Sequence, residues 1–389
     1  QSHAKTHRII MNKKKSRLAA SAPKLLTQLW APFFALFSAA IMIVIVASLH
    51  PVYASDWPMF LKNAQHSSSA EKAPNPPLVT KWEFKTSGPI YSSPVVYKNT
   101  VFIASYDKNL YALDADTGTL KWSFTASGEI ISTPAAINDV IYFGSKDHFV
   151  YALGANTGAL LWKFETPDVV LTSPVAAEDM VYIGSGDQYL YAIAAADGKR
   201  KWRTQLYDYP KYSGIYASAA YADGNVFAAG KNGALYSLSA KSGGKNWSYQ
   251  TGSAIYSSPV IADGTGFIAS IDRIFYAFDA KKGTLRWKKK IGEGEAYATP
   301  VIVGDKIYLA LKNGRIKIFD KLTGQEAGEV TLTDPASEIS GTPVAIGGDI
   351  LLTVGKDGSI YAINTKTKTI TWRRSLSGPI HASPAVTDN

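Results

Sequence analysis

The sequence contains no cysteine, and that absence excludes disulfides, thiolate metal sites, a cysteine nucleophile and a lipid-modified N-terminal cysteine. Histidine is scarce: after Ser55 only His66, His148 and His381 occur, far apart and without metal-ligand spacing. An excess of positive charge is also missing from most of the chain. The net charge of +10 is concentrated in residues 1–54, which hold Lys5, Arg8, Lys13, Lys14, Lys15, Arg17 and Lys24 and no acid, so the remainder carries 34 basic against 31 acidic residues. Without a basic stripe or a recognition motif, nucleic-acid binding loses its main support and no nucleic-acid partner is expected.

What the chain does have is a repeat. The stretch LYALDADTGTLKW, Leu110 to Trp122, reads as a strand, a turn built from Asp114, Asp116, Thr117 and Gly118, and a second strand. It returns as YALGANTGALLW, YAIAAADGKRKW, YSLSAKSGGKNW, YAFDAKKGTLRW and YAINTKTKTITW. With Trp82, seven tryptophans share one register: Trp82, Trp122, Trp162, Trp202, Trp247, Trp287 and Trp372, spaced 40, 40, 40, 45, 40 and 85 residues. The long gap holds a degenerate copy with Gly328 in the tryptophan place. A fixed period of this size marks a repeat architecture.

Each repeat reads as four short strands. In residues 90–124 these are Ile90 to Val96, Val101 to Ser105, Leu110 to Leu113 and Leu120 to Phe124. Proline has no amide proton, so the recurring Pro94, Pro134, Pro174, Pro259, Pro300, Pro343 and Pro384, with Ala220 standing in once, belongs where no ladder bond is needed. An Asp or Asn stands between the second and third strands at Asp107, Asp147, Asp187, Asn232, Asp272, Asn313 and Asp357; Tyr follows four residues later in all but the Asn313 copy, which has Lys317. These are read as turn formers, since they recur once per repeat whereas an active site is made once. Four antiparallel strands per 40 residues is one propeller blade. The fold expected is all-β, an eight-bladed β-propeller with seven complete blades. The eighth would take its inner strand from Ser383 to Val386 and its outer strand from Trp82, with roughly 25 residues or more of a closing hairpin missing after Asn389; the alternative is a natural seven-and-a-half-bladed protein.

The expected domains are 1–54, a signal peptide or membrane anchor; 55–81, an N-terminal extension; and 82–389, the propeller. Met11 is read as the start, followed by a basic segment, 21 uncharged residues from Leu29 to Leu49, Pro51, and Val52-Tyr53-Ala54 before Ser55. That order is a secretory signal, cleaved after Ala54, or a retained anchor contacting the membrane through residues 29–49. The protein is thus expected outside the cytoplasm as a monomer: periplasmic, cell-surface or secreted.

The motif Ala112-x-Asp114-x-x-Thr117-Gly118-x-x-x-Trp122 resembles the tryptophan-docking repeat of the pyrroloquinoline quinone (PQQ) family of β-propellers, and Asp56-Trp57-Pro58-Met59-Phe60 is similar to the opening of many exported members. The resemblance implies that each tryptophan packs between blades. It is shared by quinoprotein dehydrogenases and by the non-enzymatic BamB-like branch. A dehydrogenase needs PQQ, calcium on carboxylate and amide oxygens, and a base; its family members usually carry an adjacent cysteine pair and long insertions, and this chain has neither. The expectation is therefore an exported scaffold without catalytic, cofactor-binding or metal-binding residues, with a protein partner or extracytoplasmic ligand. The alternative is a PQQ- and calcium-dependent dehydrogenase oxidising alcohols or sugars. The loop lysines Lys108, Lys146, Lys231, Lys312 and Lys356 are read as a solvated, mildly basic face. The one stretched connection, between Trp202 and Trp247, holds Tyr207, Tyr209, Lys211 and Tyr212, the candidate partner-binding patch.

Overall fold

The first five repeats open their sheets with a two-residue turn whose φ angles are both positive, Lys98 and Asn99 at 46° and 57°, with Asp223-Gly224 and Asp263-Gly264 likewise. That turn twists the flanking strands into an antiparallel hairpin. In the computed structural model, which describes residues 56–70, 77–207, 214–332, 338–339, 341–376 and 379–387, the repeats become seven four-stranded antiparallel sheets in sequential strand order. Blade 1 contains Val95–Tyr97, Thr100–Ala104, Asn109–Asp114 and Leu120–Thr125; blade 7 ends with Thr369–Ser375. The fold is a seven-bladed β-propeller of four-stranded blades. Among the described residues no eighth sheet is formed, and none contains a helix long and apolar enough to cross a membrane. The expected signal or anchor, with its span at 29–49, lies outside the described residues.

The Ser-Ser-Pro motif is explained by its position before each innermost strand. Ser92 Oγ donates to Ala104 O at 2.7 Å and accepts from Ala104 N at 3.1 Å, taking both bonds that a paired peptide would take; Ser132, Thr172 and Ser257 do the same. The proline that follows by two residues then sits just outside the ladder, where its missing N–H costs nothing. In the fourth blade this place belongs to Ala219 and not, as the sequence suggested, to Ala220: Ala220 begins the strand Ala220–Ala222, as Val95 does after Pro94.

Between blades, the tryptophans dock. Trp82, Trp122, Trp162, Trp202, Trp247 and Trp287 each donate Nε1 to a carbonyl in the next blade's third-to-fourth-strand turn, at 2.8–3.2 Å (Ala115, Ala155, Ala195, Ala240, Ala280 and Lys321). Their rings lie on the turn glycine: a Cβ on Gly158 would fall 2.7 Å from the Trp122 ring, and φ there is +68°. Where blade 6 carries Gly328 instead of tryptophan, blade 7 carries Lys368 instead of glycine. The Lys368 stem fills the slot and its Nζ donates to Ala327 O at 2.6 Å.

Within the N-terminal extension, the segment 57–70 forms a strap. Trp57 bridges Val96 in both directions, and the carbonyls of Pro58, Ala64, Gln65 and Ser68 accept amides from Ala136, Tyr221, Ile261 and Ala345. Ser69–Ala70 then adds a parallel strand to blade 7. The strap thereby crosses the innermost strands of blades 1, 2, 4, 5 and 7 and closes that end of the central channel.

Candidate binding surface at the channel mouth

The residue before each innermost proline builds the channel wall. Ser93 N donates to Thr133 Oγ1, Thr133 N to Ser173 Oγ, and the chain of bonds continues through Ser218, Ser258, Thr299, Thr342 and Ser383 before Ser383 N returns to Ser93 Oγ, all at 2.8–3.1 Å. The result is a closed ring of eight hydroxyls. Each oxygen accepts one backbone N–H, which pins the blades at a fixed spacing.

Two residues further toward the open end stand Tyr91, Ile131, Leu171, Tyr216, Tyr256, Tyr297 and His381. With the hydroxyl ring below them and Phe60 of the strap, they line a cavity of about 200 Å³. The tyrosines form an arc, Tyr216 to Tyr256 at 6.3 Å between ring centroids and Tyr256 to Tyr297 at 5.2 Å, and Tyr91 packs on His381 at the adjoining place of the ring. Tyr91, Tyr216 and Tyr297 are 41, 39 and 40% exposed, an unusual outlay of aromatic surface for a solvent-facing rim.

The loop lysines crown this arc. Lys231 Nζ lies 4.2 Å from the Tyr216 ring centre and 5.9 Å from that of Tyr256, Lys312 Nζ 5.8 Å from Tyr297, and Lys146 Nζ 4.5 Å from Tyr106. Acids balance them: Glu338 pairs with Lys356 at 2.5 Å, which lowers the Glu338 pKa, and Glu129 stands 4.0 Å from Lys146. Lys108 lies in its turn at φ 75°. The rim is mixed in charge rather than basic.

The recurring Asp and Asn side chains are committed to structure. Asp147 accepts from Phe149 N, from Tyr151 Oη at 2.7 Å and from Ser127 N of the incoming connection. Asp107, Asp187, Asp272 and Asp357 are clasped by Tyr111, Tyr191, Tyr276 and Tyr361 in the same way, and in blade 4 Asn232 reverses the polarity by donating to Tyr236. Burial pushes the Asp107 carboxyl up, but the bonds from Tyr111, Asn109 and Ser87 outweigh it and leave the pKa lowered. In the sixth copy Lys317, in the tyrosine place, pairs with Glu326 and Glu329, while Asn313 donates to Glu293 O.

Of the candidate patch, Tyr207 is 8% exposed, its ring pressed on Gly230 so closely that a Cβ there would fall 2.4 Å away. Tyr209, Lys211 and Tyr212 lie outside the described residues. The connection they belong to delivers Tyr216 to the mouth. Neither Tyr216 nor its partners Tyr91, Tyr256 and Tyr297 was singled out from sequence, although the place two before the Ser-Pro or Thr-Pro serine or threonine carries Tyr repeatedly and would have marked them.

Among the described residues, this lining lacks the donors that a calcium-bound quinone takes. Calcium takes 6–8 oxygen ligands rich in carboxylate, whereas the described residues of the cavity wall offer hydroxyls, phenols, one imidazole and apolar groups, and no carboxylate or carboxamide side chain. Its volume is also below the roughly 300–1,000 Å³ of typical small-molecule sites. Among the described residues no three or more His, Asp or Glu side chains are grouped to hold a metal ion.

The family profile described as outer membrane protein assembly factor BamB matches residues 80–138, 126–213, 209–345 and 312–389. No curated protein matches the chain significantly in sequence. Among solved structures, a europium-containing methanol dehydrogenase superposes with a TM-score of 0.76 at 16% identity, covering 85% of this chain and 87% of its own. BamB from Moraxella catarrhalis gives 0.69 at 18%, covering 78% and 93%. The quinohemoprotein alcohol dehydrogenase of Comamonas testosteroni gives 0.71 at 14%, covering 85% and 74%. At these identities the likeness is one of fold, and it spans enzymes and a non-enzyme alike.

Proposed function

Since the chain belongs to the PQQ-repeat propeller family of the outer membrane protein assembly factor BamB, we propose that it is an exported, non-catalytic scaffold that receives a protein partner at its channel mouth. One observation carries this reading: the mouth presents an exposed tyrosine arc over a shallow hydroxyl-lined cup whose floor is closed by the strap. Tyrosine gives a rigid apolar face and a polar tip at low entropic cost, which suits protein contact. Tyr209, Lys211 and Tyr212, on the connection leading to Tyr216, are proposed to extend the same surface. The family and the exported relatives support placement outside the cytoplasm, in the periplasm or on the cell surface.

The ring itself is proposed to be built on eight places, with 80–86 and 381–387 marking the eighth. This rests on the eight-membered hydroxyl circle and on Trp82, which docks on Ala115 as the other tryptophans dock on their blades. Two assays separate the functional readings. Incubation with PQQ and calcium should give neither tight quinone binding nor dye-linked oxidation of alcohols and sugars; turnover would install the dehydrogenase reading instead. Pull-down with wild type should recover a partner that Tyr256→Ala/Tyr297→Ala loses while its circular dichroism is unchanged.

A further inference from the structure

On the face opposite the mouth, the seam between blades 3 and 4 lacks the ion pair that closes two of its counterparts. In the seam between blades 1 and 2, Lys98 of one first turn pairs with Asp139 of the next at 2.6 Å. Between blades 5 and 6, Asp263 pairs with Lys321 at 2.7 Å. The corresponding places in the third seam are Glu178 facing Gly224, which has no side chain, and Ala240, which is too short to reach it. A third substitution removes the tether of the outer-strand cation. Lys121 in blade 1 reaches Asn99 O, Thr100 Oγ1 and Asp114, and Arg286 in blade 5 reaches Gly264 O, Thr265 Oγ1 and Asp279. Their equivalent Lys201 meets Met180 and Ala194 in the hydroxyl and carboxylate places.

The opening left by these changes is a cavity of about 390 Å³ lined by Met180, Tyr182 and Ala240 on its apolar side and by Lys201, Lys241 and Glu178 on its polar side. That volume lies inside the range of small-molecule sites. Behind it, Tyr221 stacks on Tyr182 at 5.9 Å and 9°, with its hydroxyl buried beside Glu178 and Gly224. Burial first, and then neighbouring Glu178, push its pKa up to about 12, so it stays a proton donor across the physiological range.

We propose that this seam binds an amphipathic monoanion, its carboxylate held by Lys201 and Lys241 and its hydrocarbon or aromatic body lying on Met180, Tyr182 and Ala240. Two ammonium groups and one carboxylate, Glu178, line the cavity, and Asp197 stands near Lys201 outside it. An apolar wall with a few convergent polar groups is the usual build of such sites. A neutral analogue keeps the apolar contact and loses the ion pairs, and a cation meets two like charges.

The test uses the chain as it stands and three probes of one shape: 4-phenylbutanoate, 4-phenylbutanamide and 4-phenylbutylamine, titrated by calorimetry. The acid should bind saturably, the amide at least tenfold more weakly, and the amine not at all. Lys201→Met/Lys241→Met should remove the preference for the acid over the amide. Ala240→Lys, which places an ammonium opposite Glu178 as Lys321 stands to Asp263, should abolish acid binding at unchanged melting temperature. Equal binding of all three probes, acid binding that survives the double methionine variant, or no saturable acid binding by wild type overturns the proposal.

Discussion

A tryptophan here is a bolt with two threads, its ring on a glycine and its Nε1 on a carbonyl, and each thread has its own cost. Trp162 donates to Ala195 O and lies on Gly198. Trp162→Ala should destabilise by about 3 kcal/mol in urea unfolding, at the lower end for large aromatics because the ring is only half buried. Gly198→Ala should cost more than Gly224→Ala. Both glycines have positive φ, 69° and 71°, so both variants carry the roughly 1 kcal/mol left-handed penalty. Only at Gly198 does the new methyl also strike a tryptophan ring, at 2.8 Å, whereas nothing lies within 4 Å of Gly224. A difference of about 1 kcal/mol or more is predicted; equal costs would mean that the ring moves freely. The tryptophan register was legible because Trp is rare and its spacing fixed. The Gly328–Lys368 exchange was not, since each substitution alone reads as decay of the motif and only their meeting across a seam shows that one side chain fills the space the other vacates.

Among the elements, the strap was the least legible. Residues 57–70 carry no period, and most of their pairing is single bonds to blades far away in sequence, so nothing local announces it. His66 shows how deeply it is set. The side chain is 0% exposed, Nδ1 donates to Pro259 O at 2.8 Å, Phe60 stands edge-on at 5.5 Å, and Nε2 has no partner. Burial lowers its pKa from 6.5 to about 4 against the smaller opposing effect of the Pro259 bond. The folded chain therefore holds His66 neutral while the unfolded chain takes up a proton below pH 6.5. Stability should fall as pH drops from about 6.5 to 4, by up to about 3 kcal/mol, and the contribution should level off below that. His66→Asn keeps a donor to Pro259 and removes the titration, so unfolding measured across this window should lose that slope. A variant retaining the full slope would place its origin elsewhere.

At the scale of the molecule, the closed ring follows from a repeat whose first and last copies meet. The blades were readable because hairpin, turn and tryptophan signals recur in phase. The hydroxyl circle that holds their inner ends was not, because Ser and Thr are common and their role appears only when eight of them converge. Trp82→Ala tests closure: it should lower the melting temperature as Trp162→Ala does, since Trp82 makes the same bond to Ala115 and Phe84 packs edge-on to Tyr111 at 5.2 Å as Phe124 does to Tyr151 at 5.5 Å. An unchanged melting temperature would mean that the ring is held without this contact.

The open mouth is the surface the whole arrangement leaves unused, and its occupancy is the central claim. The most direct measurement is photo-crosslinking in the producing cell with p-benzoylphenylalanine at position 256, in the tyrosine arc, and at position 322, an 80% exposed leucine in a third-to-fourth-strand turn on the opposite face. The account predicts discrete protein adducts from 256 and none from 322; adducts from 322 with none from 256 would contradict it.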